Sequence, residues 1–372
     1  MISADRRRHR PIFTKELART RFNTNDYLGL ATHPKVIAAF QQAAAEYGLG
    51  SGASPIVSGY STLHHALEEA FAAFLKRDRA ILFNSGYHAN LGVITTFANR
   101  RTTIVADKYI HASLIDGMVL SRAKHQRYQH HDLVHADQLL SQIQNERTLF
   151  VTESVFSITG HLTDIEHCAT LAKKHRTKLI VDDAHGIGVL GQAGSGIANQ
   201  DATLNQAITC LITPLGKAMG SMGAMVSGTH EVIEEIIQSA RSYWYSTALP
   251  PAICAGTLAS LNVLQTEPWR QAKLQALIRH FNQAAKERAL PLITDDPTPI
   301  RSLVIGDNML ALALQSKLHH LGYDLACIRP PTIPLHQACL RCSLTVHHEE
   351  EDITRLLDHL VTLIKNRHDH YI

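Results

Sequence analysis

The chain has 372 residues, an apolar fraction of 45% and a formal net charge of +3 with histidine neutral, figures of an ordinary globular protein with room for two or so domains. That charge balance offers nothing to an acidic polymer or an anionic membrane surface, so neither nucleic acid nor membrane is an expected partner. No apolar run approaches the roughly 20 residues that span a bilayer, no apolar core follows the N-terminal charges, and six scattered cysteines form no disulfide framework, so the expected location is cytoplasmic.

The basic run at 6–10 reads as a solvated arm. The first helix is predicted over 34–47, opened by Pro34 and stopped by Gly48. A second, over 62–75, carries Leu63, Leu67, Phe71 and Phe74 on one face. The glycine cluster between them, at 48–52, follows a helix and precedes a polar loop, so it lacks the strand and helix that a dinucleotide fingerprint requires. From Arg79 onward, apolar strands are predicted at 80–83, 103–106, 149–152, 179–182, 207–212 and 224–227, with helices between several of them, such as 164–175. That alternation predicts an α/β fold, a mainly parallel sheet covered on both faces.

A further helix is predicted from Pro250-Pro251 and a long one after Trp269. Residues 290–299, with three prolines, read as a connection. Beyond it come a strand at 301–305, a helix at 308–321, strands at 323–328 and 338–345, and a helix at 349–364, the pattern of a smaller α+β domain. The expected division is an N-terminal arm, 1–30, a large domain, 31–265, and a small C-terminal domain, 266–372. Paired histidines, such as His130-His131, have no partner at metal-ligand spacing. Cys339 and Cys342 lie three apart in a strand-like run, which sends them to opposite faces; no metal site is expected.

Three segments can carry chemistry. Asp182, Asp183 and His185 end a buried apolar strand, the end where open α/β sheets bind ligands. A carboxylate there needs a cation or donors; a protonated pyridine nitrogen fits, and a helix cap or the start of a metal site fits the same letters. Lys217 stands among small and apolar residues just after another buried strand, which makes it either a Schiff-base lysine or a surface lysine on a glycine turn. The turn at 84–90, with Gly86 and Tyr87, lies between a strand and a helix, where free backbone N–H groups can cradle phosphate.

These pieces occur with others: N-D-Y-L-G-L at 25–30, G-S-G at 50–52, S-G-Y at 85–87, H-A-S at 111–113, T-E-S-V-F-S at 152–157, D-D-A-H-G at 182–186, G-K at 216–217, Y-S-T at 245–247 and R-P-P-T at 329–332. As an ordered set they resemble the α-oxoamine synthase family of fold-type I pyridoxal 5'-phosphate (PLP) enzymes. The resemblance implies a large α/β/α sandwich domain with a smaller α+β C-terminal domain, PLP as cofactor, and a homodimer. It implies that Lys217 is the lysine to which PLP attaches, that Asp182 pairs with the ring nitrogen and His185 with the ring hydroxyl, and that His111 stacks on the ring and can donate a proton. Gly86, Tyr87 and Ser157 would lie at the cofactor, and Tyr245 and Ser246 would reach a phosphate across the dimer. Arg329 would take the amino-acid carboxylate, with Thr332, Asn25 and one of the N-terminal arginines, Arg6 being the candidate, on the substrate side. Pro214 stands three residues before Lys217, where the family usually has Thr or Ser on the phosphate, so Thr213 is the candidate replacement. The run V-S-G-Y-S at 57–61, followed by His64, Leu67 and Glu68, is similar to the branch that condenses L-alanine with pimeloyl-CoA or a pimeloyl acyl carrier protein. The alternative is another member, using glycine or serine with a different acyl-CoA.

Overall fold

Apolar runs too short for helices form most of the strands in a computed structural model that describes residues 12, 19–143, 147–197 and 202–365. In chain order the strands are β1 (Thr20–Arg21), β2 (Arg79–Phe83), β3 (Thr103–Asp107), β4 (Lys124–Tyr128), β5 (Thr148–Glu153), β6 (Lys178–Asp182), β7 (Ile208–Pro214), β8 (Ala224–Gly228), β9 (Ile300–Gly306), β10 (Tyr323–Asp324), β11 (Ala326–Ile328) and β12 (Ala338–Ser343). The chain divides into a larger unit, Leu28–Phe156 with His161–Gln271, and a smaller one made of the described parts of Met1–Tyr27, Ser157–Gly160 and Ala272–Ile372.

The larger unit holds one seven-stranded sheet in the order β2-β8-β7-β6-β5-β3-β4. β3, β5, β6 and β7 pair in parallel and bury nearly every residue, which is why they read as continuous apolar runs. β4, K-H-Q-R-Y, is an edge strand with only Tyr128 buried, so no apolar pattern announced it. β8 runs antiparallel to both β2 and β7, because the link from Pro214 to Ala224 is too short for a crossover. All the parallel strands therefore end on one edge, which gathers Phe83, Asp107, Glu153, Asp182 and Pro214.

One face of that sheet, through Ile104, Ala106, Val151, Ile180, Cys210, Ile212 and Val226, packs on the helices Gly86–Phe97 and Ala112–Ser121 through Ala89, Val93, Ile94, Leu114 and Met118. Each such aliphatic side chain contributes roughly 1.5–3 kcal/mol on burial. Both helices start at the functional edge. Ser85 caps the first by accepting the His88 N–H, and His111 caps the second by accepting the Ser113 N–H.

In the smaller unit β9, β12 and β11 form an antiparallel sheet in the order β11-β12-β9, with helices Asn308–His320 and Glu350–Lys365. The single strand predicted over 323–328 is two: β10 pairs with β1 and β11 with β12, and the change of partner breaks the strand at Leu325. Cys339 and Cys342 are both buried in β12, and burial pushes their thiols up to about 11 and about 12. Among the described residues no helix is long and apolar enough to cross a membrane.

Arg301, in β9, is fully buried, with its guanidinium donating to Ile300 O, Asn282 Oδ1, Thr294 O, Asp296 O and Thr298 Oγ1 at 2.6–3.2 Å. Burial lowers it to about 10, yet every donor direction is used, and the group ties the 294–298 connection to the sheet. Arg301→Ala leaves those acceptors unmatched. The expected loss is about 3–5 kcal/mol, read from the urea midpoint; a loss under about 1 kcal/mol would show the loop to be held by other means.

Candidate active site

At the shared edge of the larger sheet, Lys217 Nζ lies 2.7 Å from His185 Nε2. Lys217 is half-buried, on the loop between β7 and β8, among buried Leu215, Ala218 and Met219. His185 is buried in the turn that follows β6. Asp182, the last residue of β6, is buried as a doubly supported carboxylate: Oδ1 accepts the Ala184 N–H at 3.0 Å and Oδ2 accepts Asn90 Nδ2 at 2.7 Å.

Asn90 also donates to Ser113 Oγ at 2.8 Å, and that oxygen lies 2.7 Å from His111 Nδ1. The backbone N–H of His111 donates to the Glu153 carboxyl. Burial, then the Lys217 charge, lowers His111 below its ordinary value against the pull of Asp182 and Asp116. Glu153 is pushed well above the usual carboxylate range by burial and by neighbouring Asp182. Asp183, buried beside Gly186 and Gly196, is pushed up to about 7 by burial. Of the three acids, Asp182 is the one with a donor on each carboxyl oxygen, one of them Asn90.

The third feature is the turn after β2. Ser85 caps the 12-residue helix, so the first-turn amides of Gly86 and Tyr87 have no partner within the helix. A Cβ on Gly86 would stand 2.7 Å from Pro214 Cγ, so only glycine lets this turn lie against the end of β7. An amine on a loop, a carboxylate on a strand end and an anion cradle at a helix start share one edge. This donor set fits a phosphorylated pyridine aldehyde: the amine for the aldehyde, the carboxylate for the ring nitrogen, the cradle for the phosphate.

The remaining expected residues are placed as follows. Tyr87 is partly exposed and its hydroxyl donates to Asp116. Thr213 is fully buried and its Oγ1 has no partner among the described residues. Its neighbour Ile212 faces the cluster that contains Ile180, so alternation sends Thr213 to the opposite face of the sheet. It is Pro214 that approaches Gly86. Tyr245 is 69% exposed and Ser246 half-exposed, in a segment tied to the turn by Asn84 Nδ2 donating to Thr247 O. In the smaller unit, Arg341 Nη2 donates to Asn25 Oδ1 at 3.2 Å and its Nε to Ser157 O at 2.7 Å, which brings those two expected residues together. Arg329 follows β11 and is half-buried; its carbonyl accepts the N–H of exposed Thr332 at 3.0 Å. Arg6 lies outside the described residues.

Sequence reasoning assigned no role to Asn90, Ser113, Glu153 or Arg341. Each is a polar residue inside an otherwise apolar run, and that interruption was the available signal.

The family model for aminotransferase class I and II matches residues 19–360. The chain is 45% identical over 352 residues to the 8-amino-7-oxononanoate synthase of Saccharophagus degradans, covering 95% of this chain and 88% of that one. It is 46% identical over 344 residues to the one from Nitrosococcus oceani, at 92% and 91% coverage. Among solved structures, the 8-amino-7-oxononanoate synthase of Francisella tularensis superposes with a TM-score of 0.82 at 36% identity, covering 94% of this chain and 99% of that one. A serine palmitoyltransferase from S. paucimobilis, solved with bound PLP and myriocin, superposes with a TM-score of 0.89 at 28% identity, covering 95% and 89%. The chain belongs to the aminotransferase class I and II family and, within it, to the 8-amino-7-oxononanoate synthases, which are PLP-dependent acyltransferases.

Proposed function

We propose that this chain joins L-alanine to a pimeloyl thioester, carried by coenzyme A or by acyl carrier protein, and releases 8-amino-7-oxononanoate, carbon dioxide and the free thiol, a step of biotin biosynthesis. The observation that carries the reading is the meeting of Lys217, His185, Asp182 and His111 on one sheet edge, in a chain 45–46% identical to relatives of that name. The higher TM-score of the serine palmitoyltransferase reports the shared scaffold; sequence identity favours the alanine-using branch.

PLP, when bound, draws electrons from the α-carbon of an attached amino acid. Lys217 would be the residue that holds its aldehyde and, with the substrate amine in its place, would take the α-proton. Asp182, whose two oxygens accept from the Ala184 N–H and Asn90 Nδ2, would hold a proton on the ring nitrogen. His185 would hold the ring hydroxyl, and the Gly86 and Tyr87 amides would hold the phosphate. His111 would cover the ring and give a proton to the thioester oxygen while the α-carbon bonds to the carbonyl carbon. The thiol leaves, the alanine carboxylate departs as carbon dioxide, and Lys217 returns the proton. Arg329 binds the alanine carboxylate, with Asn25 and Thr332 on the substrate side, Ser157 at the cofactor, and Thr213 as a buried hydroxyl beside Pro214. A homodimer is part of this reading: exposed Leu49, Val57, Met222 and Tyr245 offer apolar surface, and Tyr245 and Ser246 reach the partner's phosphate. The place of action is the cytoplasm.

Purified protein incubated with PLP, L-alanine and pimeloyl-CoA, or the pimeloyl carrier protein, is expected to form a product with the mass of 8-amino-7-oxononanoate. Glycine, serine and palmitoyl-CoA serve as competitors. Turnover with serine and palmitoyl-CoA, and none with alanine and either pimeloyl donor, would move the chain to the other branch.

A further inference from the structure

We infer that Ser113 and Asn90 are positioning residues that hold His111 as a neutral imidazole with its one proton on Nε2. The inference rests on the reading of His111 as a proton donor at the cofactor.

A backbone N–H can only donate, and that of Ser113 is directed at His111 Nδ1 from 3.3 Å. Nδ1 therefore presents a lone pair. The Ser113 hydroxyl lies 2.7 Å from the same nitrogen. Its oxygen already accepts from Asn90 Nδ2 at 2.8 Å, which leaves the hydroxyl hydrogen to be given to Nδ1. The Asn90 amide has two hydrogens, and both are used: one on Ser113 Oγ, one on Asp182 Oδ2. The reversed amide would set its carbonyl oxygen against the Asp182 carboxylate. As placed, its Oδ1 is buried with no partner among the described residues. A buried orphan carbonyl is costly, and here it accompanies the two donations that the amide makes.

Donation thus runs from Asn90 outward, to Asp182 on one side and through Ser113 to His111 on the other. Nε2, the remaining imidazole nitrogen, makes no hydrogen bond to the described residues. The ionisable groups facing His111 are Asp182 at the end of β6, Lys217 on the loop after β7, Glu153 at the end of β5, and Asp116 on its own helix with Tyr87 bound to it. None of these donates to Nδ1, where Ser113 supplies both donors, its N–H and its hydroxyl, beside the burial and the Lys217 charge that already oppose the imidazolium. A donor to the neutral form disfavours the charged form. Removing the hydroxyl takes away one of the two donors to Nδ1, so the imidazolium becomes easier to form, while the Ser113 N–H still favours a lone pair there.

The test is ¹⁵N NMR of histidine-labelled protein with and without PLP, the His111 signals assigned by difference from His111→Asn. Wild type is expected to show a proton on Nε2 and none on Nδ1 at pH 7.5. Ser113→Ala, which keeps the backbone N–H, should raise the His111 titration midpoint by about 0.5–1 pH unit, with the acid limb of the kcat profile moving the same way and kcat falling roughly tenfold at nearly unchanged KM for alanine. Ser113→Thr, which keeps the hydroxyl, should restore all three, and Asn90→Ala should give a partial form of the same shift. A wild-type proton on Nδ1, or an unmoved titration in Ser113→Ala, would overturn the inference. The NMR reading uses no acyl substrate, so it decides even if alanine and pimeloyl-CoA prove the wrong pair. The wild-type spectrum decides even if a variant fails to fold.

Discussion

Lys217→Ala is expected to lose turnover by at least about a thousandfold, since one substitution removes both the proposed attachment point for the cofactor and the proposed base for the α-proton. The change should leave the fold alone. Lys217 sits on a loop, its amine contacts His185 rather than the core, and such sites usually shift stability by no more than about 0.5 kcal/mol. Borohydride reduction of the PLP-loaded wild type should fix the cofactor on the tryptic peptide containing residue 217, seen by mass; Lys217→Ala should carry none. Lys217→Arg separates charge from nucleophile. It keeps a cation near His185 and Asp182 but cannot lose its proton, so it should fail as completely as alanine. Reduction that labels another peptide at full stoichiometry would remove Lys217 from this role.

The second large effect is expected at Asp182. Asp182→Asn keeps the volume and removes the charge, so a charge-assisted contact to the ring nitrogen becomes a neutral one, and the amide must also turn a donor toward either Ala184 N–H or Asn90 Nδ2. Loss of such a contact costs about 1.5–3 kcal/mol, so α-proton exchange of alanine in heavy water, without thioester, should slow roughly ten- to several-hundredfold. Asp182→Ala should be worse, because it also leaves the buried Asn90 donor unmatched. The control is Asp183→Asn. Burial pushes the Asp183 carboxyl up to about 7, so a neutral side chain there resembles a state already populated at neutral pH, and the exchange rate should change little. Exchange in Asp182→Asn within threefold of wild type would rule out ring-nitrogen pairing as its function.

The two predictions address different links. In the proposed reading Lys217 acts by its own chemistry, and Asp182 acts through the charge state of what it touches. The sheet makes both possible. A parallel β6 and β7 end on the same edge, so residues 34 or so apart in sequence arrive together, and the helices starting at Ser85 and His111 bring Asn90 and Ser113 beneath them.

By itself the sequence determined the buried strands and the capped helices and singled out Asp182, Lys217 and the turn at 84–90 as candidates, because each is written in local pattern: apolar runs, Pro and Gly at helix ends, a charged residue closing an apolar run; the roles proposed for them came from the ordered set of motifs. It did not show β4, whose edge position needs no apolar pattern, or the break between β10 and β11, which depends on which strand each half meets. Nor could it show that Thr213 points away from the face to which Ile212 and Asp182 belong, or that Asn90, Ser113 and Arg341 serve their neighbours. Those facts are contacts between residues far apart in the chain. The direction of a hydrogen bond is settled only when the fold fixes which atom stands 3 Å away, and a side chain's letter carries no record of that.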